Sequence, residues 1–229
     1  MTRPARRPPM RVLGVDGCKG GWVGVVLSDG EVPIAIVERS IDRLAAHTGD
    51  VDAIGIDIPI HLNEDRDRPC DTAARRFLRP YTSRVFNAPV LAVLDCASYH
   101  DACATSFAAI GKRISRQTWE LVPKIAEVEG WWRTARCRVF EVHPEAGFAA
   151  MAGRPIAERK RTREGEQIRR ALLTEHGLEP PERPAGSSAD DLLDACAAAW
   201  STARIVRDDG RCLPDPPPSV RGQQKAIWF

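Results

Sequence analysis

The chain predicts an α/β fold: a mixed sheet flanked by helices, with a helical insertion after the fourth strand. Three observations carry this. Short β-branched runs separated by brief turns open the chain, a fourth run reads as buried on both faces, and helical patterns fill the stretch from about 61 to 136 before strand periodicity returns in "RCRVFEVHPE".

Val12–Asp16 is the first strand, and it runs straight into "GCKGG". Trp22–Leu27 is the second, ended by the turn signal Ser28-Asp29-Gly30, and "VPIAIVERS" is the third. The short connections predict an antiparallel meander. "SIDRLAAHTG" reads as a short helix with Ser40 as N-cap and Gly49 as C-cap. "DAIGIDIPI" is a fourth strand, parallel to the first. The insertion holds the helical patterns "CDTAARRFLR", Tyr99–Gly111 and "SRQTWELVPKIAEVEGWW". In the next strand Val139, Glu141 and His143 share one face, and Arg138, Phe140 and Val142 the other. Arg163–His176 is a charged helix. "ERPAGSS" leads through the N-cap Ser188 into a helix over Asp190–Val206, and Ala226–Phe229 closes the chain as a strand.

With 229 residues the chain has room for one large domain, and a formal net charge of +2 gives no global field for nucleic acid or membrane. Residues 1–9 read as a flexible basic arm before a single domain over 10–229. No apolar run approaches the ~18 residues of a membrane span, and Asp16 and Lys19 interrupt anything resembling a signal peptide. The seven cysteines form no C-x-x-C pair, which suits reduced thiols in a cytoplasmic protein and argues against a structural zinc.

Asp16 and Asp57 both end strands, each with a glycine two residues back on the same face. If those strands are neighbours, the carboxylates converge, and a hard cation such as Mg²⁺ or Mn²⁺ would relieve their repulsion. The late helix adds Asp191 and Asp194 on one face at i,i+3, with alanines behind them that permit close approach to a sheet. Glu141 is a further candidate. Two such ions about 4 Å apart would activate water and stabilise the leaving oxygen of a phosphodiester. Three of these acids also have a simpler reading: Asp16 as a turn cap, Asp191 as a helix N-terminal charge, Glu141 as a salt-bridged core acid. His143 reads either as a general base or as a hydrogen-bonded strand-end histidine. Lys19 in its glycine turn, Arg75, Lys124 and Lys160 are candidates for binding substrate phosphate, while solvated faces explain most basic residues by default.

The strand and helix order, together with "GVDGCKGGWVG", "GIDIPIHL", "CDTAAR", "SRQTWELVPKIAEV", "EVHPEAGF" and "DDLLDACAAAW", resembles the prokaryotic family called domain of unknown function 429, from about Val12 to Phe229. That family is described as predicted nucleases of ribonuclease H-like fold. The resemblance implies Asp16 as the first-strand acid and Asp57 as the fourth-strand acid. Glu141, His143 and Glu145 fall on the "EVHPE" motif, and Asp191 and Asp194 are similar to the paired late-helix acids of Holliday-junction resolvases. Two departures stand out: Ser83-Arg84 where related sequences carry a serine pair, and His61 where they carry glycine.

The expectation is a ribonuclease H-like, Mg²⁺- or Mn²⁺-dependent nuclease. Asp16, Asp57, Glu141, Asp191 and Asp194 would hold metal, His143 would steer a proton, and nucleic acid would be the partner. The rival readings are a nucleotide-binding enzyme of the actin and sugar-kinase type, for which 229 residues leave scant room for two domains, and a non-catalytic relative that binds nucleic acid or protein.

Overall fold

A computed structural model describes residues 9–220 and 223–229. All but the last residue of the expected N-terminal arm lies outside the described residues.

The first three strands, β1 (Arg11–Cys18), β2 (Gly21–Ser28) and β3 (Ile34–Glu38), form the expected antiparallel meander. Helix α1 (Ile41–Thr48) carries the chain across to β4 (Ala53–Ile56), which lies parallel to β1. Ser40 caps α1 by accepting from the amide of Arg43, and Gly49 ends it with φ of 70°. Three helices, α2 (Pro69–Phe77), α3 (Tyr99–Ile110) and α4 (Arg116–Trp131), separate β4 from β5 (Arg138–Glu141), which pairs parallel to β4. The sheet order is therefore β3-β2-β1-β4-β5, mixed, with helices on both faces. This arrangement is compatible with the ribonuclease H-like layout.

After β5 come α5 (Pro144–Ala152), α6 (Arg163–Glu175) and α7 (Ala189–Val206). The short strands β6 (Cys212–Leu213) and β9 (Ile227–Trp228) pair with each other, as do β7 (Ser219–Val220) and β8 (Gln223–Gln224). Trp228 also bridges to Val142 beyond β5, so the tail closes against the edge of the main sheet. The sequence reading missed α5. All but three of its nine residues are buried, so no polar stripe marks a helical period. Its signals were Pro144 at the first helical position and Gly153 at the C-cap with φ of 68°.

Strand alternation divides the core. Leu13, Val15, Trp22, Val26, Ile54 and Ile56 pack against α1 and α4. Val23 and Val25 pack with Phe148, Leu173, Leu192, Ala195 and Ala199 on the opposite face. On that second face the sheet offers glycine twice. A Cβ on Gly14 would overlap the backbone of Ala195 and Ala199, and a Cβ on Gly55 would overlap the Thr202 hydroxyl. Helix α7 thus lies directly on the backbone of β1 and β4, its alanines 195, 197, 198 and 199 fully buried. Its start is fixed by a capping box in which Ser188 Oγ accepts from the Asp191 amide and the Asp191 carboxylate accepts from the Ser188 amide.

Gly14→Ala should therefore cost about 1–3 kcal/mol in urea unfolding, because α7 has to move. Gly130→Ala, in α4 with open space around it, should be neutral or stabilising by up to about 1 kcal/mol. Equal stability of the two variants would contradict the close packing of α7.

Candidate active site

The strand ends and the first turns of α7 define a cleft of about 430 Å³ that contains Asp16, Asp57, Asp191 and Asp194. Its position follows from the packing below it. The amide of Asp57 donates to the carbonyl of Val15 at 2.9 Å, extending the β1–β4 ladder by one residue and setting Asp16 beside Asp57. Both lie two residues beyond a glycine that touches α7, so both project on the α7 side. Asp194, one residue before Ala195, projects from α7 toward them, only 2% exposed.

Three acids in so little water oppose one another. Burial, then the charges of Asp194 and Asp57, hold the Asp16 carboxyl well above its usual range. Burial and the charge of Asp194 push Asp57 up to about 8. Asp194 rises to about 6 through burial, offset by the ammonium of Lys160. Lys160 pairs directly with Asp194 Oδ2, while Asp194 Oδ1 is buried with no hydrogen-bond partner among the described residues. Asp16 Oδ1 accepts from the amide of Gly17 at 2.7 Å, one turn-capping bond that leaves its other oxygen for the cleft. The donor set of carboxylate oxygens, one of them orphaned, suits a hard cation. Among the described residues, however, no three His, Cys, Asp or Glu side chains are gathered closely enough to enclose an ion as they stand.

His143, at the N-cap of α5, also lines the cleft. Burial lowers its basicity, so its ring is neutral at pH 7, and Nδ1 is buried without a partner. Lys124 reaches the cleft over the face of Trp22, its ammonium 4.4 Å from the ring centroid and donating to the carbonyl of Gly21. Gly17 makes room for that stem.

The chain's similarities agree with the motifs. Residues 14–219 match the family described as protein of unknown function DUF429. The chain belongs to the DUF429 family. No curated protein and no solved structure matches it.

Three of the expected site residues stand apart from the acids in this DUF429 chain. Glu141 does not join the acids. It pairs in register with Ile56, the residue before Asp57, so strand alternation turns it to the opposite side. There Oε1 accepts from Arg68 Nη2 at 2.5 Å and Oε2 from the amide of Ile60 at 2.9 Å. Arg68, itself only 5% exposed, also approaches Asp71 at 3.5 Å, and Asp71 accepts from the amide of Ala88. Glu141 is thus the salt-bridged core acid that fastens the insertion to the sheet. Lys19 is exposed in the β1–β2 turn and does not line the cleft. Arg75 braces the loop after α2, donating to the Val85 carbonyl and to Asn87 Oδ1. His61 also stands apart from the acids. It takes a left-handed turn conformation with φ of 58°, its ring edge-on to Trp132 at 4.5 Å.

The sequence reading missed Arg159 and Arg161, which line the cleft, and underrated Arg84 and Glu145. Glu145 accepts from Arg84 Nη1 and Arg169 Nη2, both at 2.5 Å. Arg84 also donates to the carbonyls of Ile156 and Ala157, and Arg169 to those of Glu158 and Gly165. These bonds hold the segment carrying Arg159, Lys160 and Arg161 against the mouth of the cleft. The signal in the sequence was the run "ERKRTREG", which reads as an ordinary solvated stretch.

Two measurements check this geometry. Without divalent cations, thermal stability should fall as pH rises from 6.5 to 8.5. Carboxyls raised toward about 6 and about 8 in the cluster, and toward about 7 at Glu141 outside it, hold protons that the unfolded chain has released, so their stabilisation is lost as the folded groups ionise. His61 and His143, lowered by burial, act in the opposite sense, but only below their unfolded value of 6.5. Asp57→Asn should flatten the decline, and a melting temperature that rises over this window would contradict the clustering. Separately, Glu141→Gln should cost about 3–5 kcal/mol in urea unfolding, because it strands buried Arg68. A change under about 1 kcal/mol would show that the pair carries little.

Proposed function

We propose that this chain is a divalent-cation-dependent phosphodiesterase acting on nucleic acid in the cytoplasm, a nuclease built on a ribonuclease H-like sheet. The observation that supports it best is the meeting of Asp16, Asp57 and Asp194 from three separate elements, with an orphaned carboxylate oxygen on Asp194 and a basic rim. Such a buried anionic group is costly to fold without a cation to share. Asp16, Asp57 and Asp194 would hold Mg²⁺ or Mn²⁺, with Asp191 beside them. When bound, the cation supplies an acidified water and charge neutralisation at the phosphate.

The remaining steps fall to the chain's own groups. His143, neutral and with Nδ1 free, accepts or returns a proton at that atom. Lys124 and Arg159, which both line the cleft, offer positive charge to a phosphate. At about 430 Å³ the cleft admits a nucleotide-sized portion of a strand, so the scissile linkage has to be presented on an exposed or unpaired segment.

A panel of labelled single- and double-stranded DNA and RNA, incubated with Mn²⁺, tests the reading. The intact protein should cleave at least one member. Asp57→Asn should lose at least about a hundredfold in rate with an unchanged circular dichroism spectrum, and a chelator should abolish cleavage. Equal cleavage by both proteins, or cleavage by neither, would overturn it.

A further inference from the structure

Lys160 is placed where a cation is needed. Its ammonium pairs with Asp194 Oδ2 and also feels the charges of Asp16 and Asp57, which together hold its proton more tightly than usual even though burial works the other way. The other oxygen of Asp194 is buried, an acceptor for which none of the described residues supplies a donor. The backbone beneath Lys160 is anchored independently of this contact. The carbonyl of Arg159 accepts from both the amide and the hydroxyl of Thr162, and Arg169 fixes the carbonyls of Glu158 and Gly165. The Lys160 side chain is 38% exposed against 3% for the side chain of Asp194, so the lysine has solvent beside it into which to withdraw. A compact ammonium on a four-carbon stem suits a contact that is made and broken, unlike a forked guanidinium.

We propose that Lys160 is an exchangeable counter-ion. It neutralises the Asp16–Asp57–Asp194 cluster while no dication is bound, and it gives up Asp194 when one binds. This rests on the cation-dependent reading of the cleft and adds its regulation. A dication brings twice the charge to the same oxygens and satisfies the orphaned one as well, so it displaces the ammonium. The exchange accounts for acids that converge without being closed around an ion, since one of them, Asp194, is paired with the ammonium. It sets a threshold of cation concentration below which the acids stay locked to the chain's own lysine.

Calorimetric titration with Mn²⁺ at pH 7.5 tests it on the intact protein, Lys160→Gln and Lys160→Arg. Lys160→Gln should bind at least about tenfold more tightly than wild type, having lost its competitor, and Lys160→Arg should bind no more tightly than wild type. Wild type binding Mn²⁺ with Lys160→Gln equal or weaker would overturn the exchange and leave the cation site standing. No binding by either would overturn both. Should Lys160→Gln not fold, amine labelling of the wild-type chain read by mass spectrometry decides alone: Lys160 should react severalfold faster at saturating Mg²⁺, and unchanged reactivity would overturn the exchange.

Discussion

The contact between α7 and the backbone of β1 and β4 is the constraint on which the rest of this structure depends. Glycine at 14 and 55 lets a helix lie where side chains ordinarily intervene. The alanines of α7 complete the fit, and their burial is what the contact gains. The consequence is geometric. With the helix that close, Asp194 enters the space beyond the strand ends, where Asp16 and Asp57 already stand side by side. The same glycines that look like concessions to packing therefore set the spacing of the acids. An acidic cluster held by backbone contact does not relax, so its burial, and after that the repulsion among its charges, appears as raised proton affinity.

Two further ionic networks keep the walls of the cleft in place. Arg68, Glu141 and Asp71 tie the loop after β4, the start of α2 and the loop near Ala88 to one another. Arg84, Glu145 and Arg169 tie the first turn of α5 to the basic segment at 159–161. Both are buried enough that losing one partner leaves an uncompensated charge. Their role is to specify position: each joins segments far apart in the chain, and each ends at a residue or loop bordering the acids.

The parts of this arrangement legible in the sequence are those set by local signals. Ser40 and Ser188 read as helix caps because a hydroxyl three residues before an amide is a short-range feature, and both cap as expected. Asp16, Asp57 and Asp194 could be singled out because each breaks an apolar pattern. What the sequence hid depends on tertiary register. Glu141 looked equivalent to the other acids until its pairing with Ile56 fixed the face it presents. Arg68 gave no sign of burial, since arginine near a helix start is ordinarily solvated. Helix α5, apolar on nearly all sides, lacks the stripe by which a helix is recognised. Lys160 lies in a charged run whose fold over the cleft is decided by Arg169 and Arg84.

The most direct test of this account is a crystal of the protein soaked with Mn²⁺ and measured at a wavelength where manganese scatters anomalously. The account predicts an anomalous peak coordinated by oxygens of Asp16, Asp57 and Asp194, with the Lys160 ammonium moved off Asp194. An ordered cleft without a peak at saturating Mn²⁺, or a peak bound elsewhere with these acids untouched, would contradict it.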